Sequence, residues 1–161
     1  MRLEPLTREA ALAVVLRMRR RDRREIYATC WHDNPVEVAE FLALSGKFGW
    51  AAFIENDPVA IVGARPLWPG VWSVWMVATD RFREIRFSMT RFIKHGMIPA
   101  LVQTGAHRAE TTSLAIHHEA HRWLEALGAT REATFRAYGR NGEDFVSYVW
   151  TLDGREKRQE R

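Results

Sequence analysis

Trp72-Ser-Val-Trp-Met-Val-Ala78 is a short run of aromatic and β-branched residues, Thr79-Asp-Arg-Phe-Arg83 is a basic turn, and from Glu84 to Thr104 apolar residues recur at helical spacing. A strand that passes straight into a helix leaves backbone N–H groups unpaired at the junction, and the helix macrodipole adds positive potential there. Such a junction accommodates an anion, commonly a phosphate. Arg81, Arg83 and Arg86 crowd the same turn and would reinforce it. The same residues also suit a plain strand-to-helix connection with a solvated basic corner, so the flanking chain has to separate the two.

Upstream, Trp50 to Glu55 and Val59 to Pro66 read as strands joined across Asn56-Asp57-Pro58, and Pro66-Leu-Trp-Pro-Gly70 turns into the strand at Trp72. Three strands with short turns predict an antiparallel meander. Trp68, Trp72 and Trp75 are best used as hairpin packing there, with a binding platform as the other use. Earlier still, Arg2 to Leu6 is a strand, Thr7 a helix cap, and Ala11, Val14, Val15, Met18 and Ile26 predict a helix over 8–29. Asp22 falls on that apolar stripe, either as a carboxylate at a cleft edge or as the partner of a nearby arginine. Arg17, Arg19, Arg20, Arg21, Arg23 and Arg24 would point all round such a helix, whereas a nucleic-acid footprint segregates to one face. A nucleic-acid partner is therefore disfavoured. Asn34 and Pro35 open a further helix that buries Val38, Phe41 and Leu42, and Tyr27, Cys30, Trp31 and His32 precede it, where they could line a cleft or pack over the sheet.

Downstream, the long helix buries Ile85, Met89, Phe92, Ile93, Met97 and Leu101. Pro99 cannot donate to the His95 carbonyl, which predicts a kink or break. His107 to Leu114 reads as a strand, Ala120, Trp123, Leu124 and Leu127 mark another helix, and strands at 131–138 and 144–152 flank Gly139-Arg-Asn-Gly142. The charged tail, 153–161, is expected to fray.

A chain of 161 residues, 47% of them hydrophobic, fits one globular domain, here 1–152. No apolar run approaches a membrane span and the first residues lack the apolar core of a signal peptide, so a cytoplasmic location and no membrane partner are expected. The lone Cys30 excludes an internal disulfide and suits a small packed residue better than a nucleophile. The net charge of +4 is compatible with phosphate ligands without requiring them. His117-His-Glu-Ala-His121 places two histidines four apart, but His118 stands where a zinc protease has glutamate and no third ligand is evident, so no metal is expected.

The resulting order, β-α-α-β-β-β-α-β-α-β-β, resembles the acyl-CoA N-acyltransferase (GNAT) superfamily over residues 1 to about 152. The fold class implied is α/β (α+β), with a mixed, mostly antiparallel seven-stranded sheet flanked by four helices. The resemblance implies transfer of an acyl group from acyl-CoA, typically acetyl-CoA, to an amine. It implies that the cofactor's pantetheine pairs with the backbone of Met76, Val77 and Ala78, and that Arg81, Arg83 and Arg86 meet its phosphates. The family's turn reads Arg or Gln, two residues, Gly, one residue, Gly or Ala; here Arg81-Phe-Arg-Glu-Ile-Arg86 keeps the first arginine and has no glycine. In the last helix the family's Asn, Ala, Tyr and Gly correspond to His117, Ala120, Leu124 and Gly128. His117 thus stands where a cofactor-holding amide is usual, and Leu124 where a tyrosine protonates the leaving thiolate. Tyr138 or a histidine is then the candidate for the missing acid, and Glu110 on the fifth strand and Asp22 on the first helix are the candidate carboxylates for the general base. The runs Gly70 to Asp80 and His121 to Gly128 also look like a family of small GNAT-like phage proteins that includes an internal virion protein of short-tailed phages. That likeness implies an alternative role, a virion-associated structural or interaction protein with other virion proteins as partners.

Overall fold

The computed structural model describes residues 1–152; the tail expected to fray lies outside them. Strands β1 (Arg2–Pro5), β2 (Gly49–Ile54), β3 (Asp57–Trp68), β4 (Val71–Ala78), β5 (Arg108–Leu114), β6 (Thr130–Phe135) and β7 (Phe145–Thr151) are interleaved with helices α1 (Arg8–Leu16), α2 (Arg20–Ala28), α3 (Pro35–Ala43), α4 (Phe82–Phe92), α5 (Ile98–Gln103) and α6 (His118–Ala126). The strands form one seven-stranded sheet in the order β1-β2-β3-β4-β5-β7-β6. Every neighbouring pair is antiparallel except β4 with β5.

The expected meander is β2-β3-β4, and its alternating side chains feed two cores. Ala51, Ile61 and Val77 face α1 and α3, whereas Ala52, Val62 and Ala78 face the helices on the other side, which contribute Ile85, Met89, Leu101 and Leu124. Each fully buried Ile, Val, Met or Leu contributes about 1.5–3 kcal/mol. The hairpin signal at Asn141-Gly142 corresponds to the β6–β7 connection, although the turn lies within a nine-residue loop, closed where Gly139 and Glu143 pair through backbone.

Two helices differ from expectation. The helix predicted over 8–29 is two, α1 and α2, so the sheet carries five helical bodies instead of four. Neither Pro nor Gly causes the break. Met18 instead bridges to Thr79, and the Arg19 N–H donates to the Ala78 carbonyl at 2.9 Å, so the end of β4 pulls these residues out of helical geometry. The arginine cluster is correspondingly not a solvated helix end throughout: Arg17 donates to the Pro58 carbonyl and pairs with Asp57, and Arg19 is drawn inward. The long helix does deform at Pro99: a π turn over Ile93–Met97 joins α4 to α5, absorbing the missing donor without ending the rod. Gly105, in left-handed geometry at φ 84°, terminates it. Among the described residues no helix is long and apolar enough to cross a membrane.

Candidate functional site

The parallel pair β4–β5 holds together only at Val71, Trp72 and Ser73 against Arg108, Ala109 and Glu110. Beyond that point the strands part. Successive residues of a strand turn their backbone groups to opposite edges. Ala78 uses its groups on the edge away from β3, so Val74 and Met76 turn theirs the same way, into the gap, and Val77 turns its own toward β3.

A cavity lies on each face of the sheet at this gap. The first, about 450 Å³, lies under α4 and α6 and is lined by Phe82, Arg86, Thr90, His117, Arg122 and Trp123 among others. The second, about 520 Å³, lies on the α3 side and is lined by Cys30, Trp31, Phe41, Arg65 and Trp75 among others. Glu25, Met76, Thr111 and Thr112 line both. The gap is thus a passage through the sheet, with a carboxylate in it.

Glu25 reaches that position because α2 restarts at Arg20 and runs across the parted strands. Its Oε2 accepts from Ser113 Oγ at 2.7 Å and from the Leu114 N–H at 2.8 Å, and lies 3.0 Å from His117 Nδ1. Oε1 has no such partner. Three residues earlier on the same helix, Asp22 does a different job. Nearly buried, it holds Arg19 in a fork and accepts from the Ala78 N–H at 2.9 Å. Burial pushes its carboxyl up, with the Arg19 guanidinium and the Ala78 amide opposing that rise. Asp22 and Arg19 between them occupy both backbone groups of Ala78 and close the end of the gap.

The residues singled out in the sequence fall in several places. Met76 sits at the gap; the Val77 side chain is fully buried under α1 and α3; the backbone of Ala78 is taken. Arg81 is bound to Asp57 and Glu84, and these partners hold its guanidinium even more firmly protonated than usual. Arg83 is exposed and lines neither cavity, while Arg86 lines the first and lies over the Phe87 ring. His117 lines the first cavity, as its place in the helix motif suggests. Glu110 does not reach the gap: it stands where the strands still pair, with Arg108 on its carboxylate. Tyr138 is half exposed in the β6–β7 loop, stacked on Phe135 and Phe145, and lines neither cavity. His117 and His121 diverge, since His121 Nε2 bonds to the Leu114 carbonyl at 2.9 Å. Cys30 lines the second cavity, but burial pushes its thiol pKa up and Sγ bonds to the Ile26 carbonyl, which leaves a poor nucleophile.

Three residues that matter here carry little sequence signal. Glu25 is hidden in the arginine cluster, Arg122 reads as helix surface and Arg65 as a strand end. The spacing of Asp22 and Glu25 was the available clue, because residues three apart share a helix face.

No protein-family model and no curated protein matches the sequence. Solved structures do match the fold. An aminoglycoside 6'-acetyltransferase type Ii superposes with a TM-score of 0.72 at 17% identity, over 94% of this chain and 97% of that one. The ribosomal-protein-S18-alanine N-acetyltransferase from Escherichia coli gives 0.68 at 14% identity, over 94% and 93%. The protein yncA from Salmonella typhimurium, solved with its cofactor acetyl-CoA, gives 0.70 at 12% identity, over 95% and 94%. The chain has the GNAT fold.

An acyl-CoA would meet two environments in this GNAT-fold chain. An extended, amide-bearing arm finds the Val74 carbonyl and the backbone of Met76 beyond the last paired residues of β4, beside a cavity of about 450 Å³. At the turn the usual backbone cradle is missing: it has no glycine, Arg81 is already paired, and Phe82 is buried edge-on against Trp123. The free cations lie farther along the groove. Arg86 on α4 and Arg122 on α6 both line the first cavity, and neither pairs with a carboxylate among the described residues. The residues therefore fit the group, with positive charge moved from the turn into the α4–α6 groove.

Proposed function

We propose that the protein is an acyl-CoA-dependent N-acyltransferase in which cofactor and amine enter from opposite faces of the sheet and meet at Glu25. The observation that carries this reading is the pair of cavities sharing Glu25, Met76, Thr111 and Thr112 where β4 and β5 part.

Bound acyl-CoA supplies an activated acyl group. The chain supplies position and proton handling. The open edge of β4, at the Val74 carbonyl and Met76, orients an extended ligand through backbone groups, and Arg86 and Arg122 meet its negative charge. An attacking amine must be neutral, or lose its proton as it attacks. Glu25 is suited to receive that proton at Oε1, because Ser113, Leu114 and His117 fix the carboxylate through Oε2 and leave Oε1 free. His117 Nε2 is the other atom beside the passage at which a proton can be held, its Nδ1 being tied to Glu25. Leu124, where the family has a tyrosine, provides no proton, so His117 takes that role.

The fold neighbours that act on an aminoglycoside and on a ribosomal protein support acyl transfer in general and leave the acceptor open. The glycine-free turn favours a second reading, a virion-associated protein that keeps the fold without catalysis. Thermal unfolding with acetyl-CoA separates the two. A ligand at 100 times its dissociation constant adds about 2.7 kcal/mol, a rise of about 5–10 °C for a domain of this size. No rise at millimolar acetyl-CoA removes the acyltransferase reading and leaves the second.

A further inference from the structure

Four arginines among the described residues are half-buried: Arg19, Arg65, Arg81 and Arg108. Three of them hold carboxylates, Arg19 that of Asp22, Arg81 those of Asp57 and Glu84, Arg108 those of Glu110 and Glu132. Arg65 holds none. Its Nε is buried without a hydrogen-bond partner, the only such side-chain atom among the described residues. The guanidinium lies 3.7 Å above the centre of the Phe41 ring, which fixes its plane but offers no hydrogen-bond acceptor. Burial alone lowers its pKa, as expected for a charge whose desolvation nothing in the chain offsets.

Arg65 lines the second cavity, the one assigned above to the amine. Neither of the two carboxylates that share that cavity pairs with Arg65. Glu37 takes the Asn34 amide at 3.0 Å and lies 3.2 Å from His32, and Glu25 is held by Ser113, Leu114 and His117. The cavity thus offers a free carboxylate oxygen at its inner end, an unpaired guanidinium on β3, and aromatic walls from Phe41 and Trp75. A guanidinium fork matches a carboxylate in shape and charge.

We infer that the acceptor is a free amino acid, its amine at Glu25 and its carboxylate on Arg65. This rests on the acyltransferase reading for the amine's fate, but not for the carboxylate site itself. A volume of about 520 Å³ admits one amino acid and leaves room for a bulky apolar side chain against Phe41 and Trp75.

The test uses a panel of free L-amino acids, each paired with its carboxamide, and two measurements. In acetyl transfer, the wild-type protein is expected to prefer acids over amides by about 10- to 100-fold in kcat/KM, the worth of a charge-assisted contact. Arg65→Met should abolish that preference and Arg65→Lys retain part of it; comparing acid-to-amide ratios between variants cancels the different basicity of the two amines. In thermal unfolding without cofactor, millimolar acid and not amide should raise the wild-type midpoint, and Arg65→Met should remove the rise. Equal use of acids and amides, or a preference that survives in Arg65→Met, overturns the inference, as does acetyl-CoA stabilisation with no response to any amino acid. If acetyl-CoA gives no stabilisation but an amino acid still does through Arg65, the carboxylate site stands and the acyltransferase reading alone fails.

Discussion

Replacing Glu25 separates its two jobs, because the hydrogen bonds that fix it use one oxygen and the proposed chemistry uses the other. In Glu25→Gln the side-chain carbonyl can occupy the position of Oε2 and still accept from Ser113, Leu114 and His117. What is lost is the charge, which weakens each of these bonds by roughly half, about 1 kcal/mol apiece, a loss offset in part because a neutral amide costs less to bury than a carboxylate. Glu25→Ala removes the acceptor altogether. Ser113 and the Leu114 N–H, both on buried residues, and His117 then lose their partner. A buried donor left unpaired costs about 1–3 kcal/mol. Water entering from either cavity can reach some of them, so a total of about 3 kcal/mol is expected, lowering the unfolding midpoint by about 6–12 °C.

Catalysis should fall in both variants, including the one that barely disturbs the fold. General-base assistance contributes about 100- to 10,000-fold, and an amide cannot provide it. Glu25→Gln should therefore stay folded, bind acetyl-CoA and lose at least 100-fold in kcat, measured by release of the CoA thiol. A folded Glu25→Gln within about threefold of the wild type would refute the assignment of the base. A Glu25→Ala midpoint equal to that of the wild type would refute the account of Oε2.

Asp22→Ala should destabilise the fold by about 2–4 kcal/mol, since it strands the half-buried Arg19 and the Ala78 N–H, while Asp22→Asn recovers part of the loss; chemical denaturation measures both. Arg86→Ala and Arg122→Ala should each weaken acetyl-CoA binding by about tenfold, whereas Arg81→Ala, whose charge is already paired with Asp57 and Glu84, should leave it nearly unchanged; titration calorimetry distinguishes this pattern from one in which the turn holds the phosphates. His121 is buried, and desolvation lowers its pKa below the ordinary 6.5, against the Leu114 carbonyl, with His118, His117 and Glu25 as the charged neighbours. The unfolded chain therefore binds the extra proton more readily. The stabilisation is fully present above about pH 6.5 and is lost as pH falls toward the folded-state pKa. The midpoint should drop between pH 7.5 and pH 5, and by less in His121→Gln.

Much of the fold was legible because it rests on short-range patterns. Period-two strands from Trp50 to Ala78, the Asn34-Pro35 cap and the apolar face from Ile85 to Leu101 each follow from residues a few positions apart. The break between α1 and α2 was not legible, because its cause is the end of β4, about 60 residues away in sequence. The same break hides Glu25 in the sequence. On one unbroken helix Asp22 occupies the apolar stripe and Glu25 is one more charge among arginines. Restarting at Arg20 seats Asp22 under Ala78 and carries Glu25 into the gap. Glu110 and Tyr138 were plausible by chemistry, but their positions depend on where β4 and β5 stop pairing and on how the β6–β7 loop folds, and local sequence encodes neither.

The same break closes the strand end that leads into the glycine-free turn. A glycine-rich turn serves a phosphate by letting it approach backbone N–H groups closely. Here Asp22 takes the Ala78 N–H and Arg19 the Ala78 carbonyl, so the strand end presents no free backbone to approach. With that demand gone, side chains are tolerated after the turn and can be used for packing. Phe82 stacks edge-on against Trp123 with the Arg19 guanidinium 4.9 Å from its ring centre, tying α2, α4 and α6 together at the mouth of the first cavity. Positive charge for a bound anion then has to come from side chains farther along the groove, where Arg86 and Arg122 remain unpaired among the described residues. The turn, glycine-free where the GNAT motif has glycines, is thus consistent with a site whose strand end is closed by an internal carboxylate and whose anion contacts have moved one helical turn or more along α4.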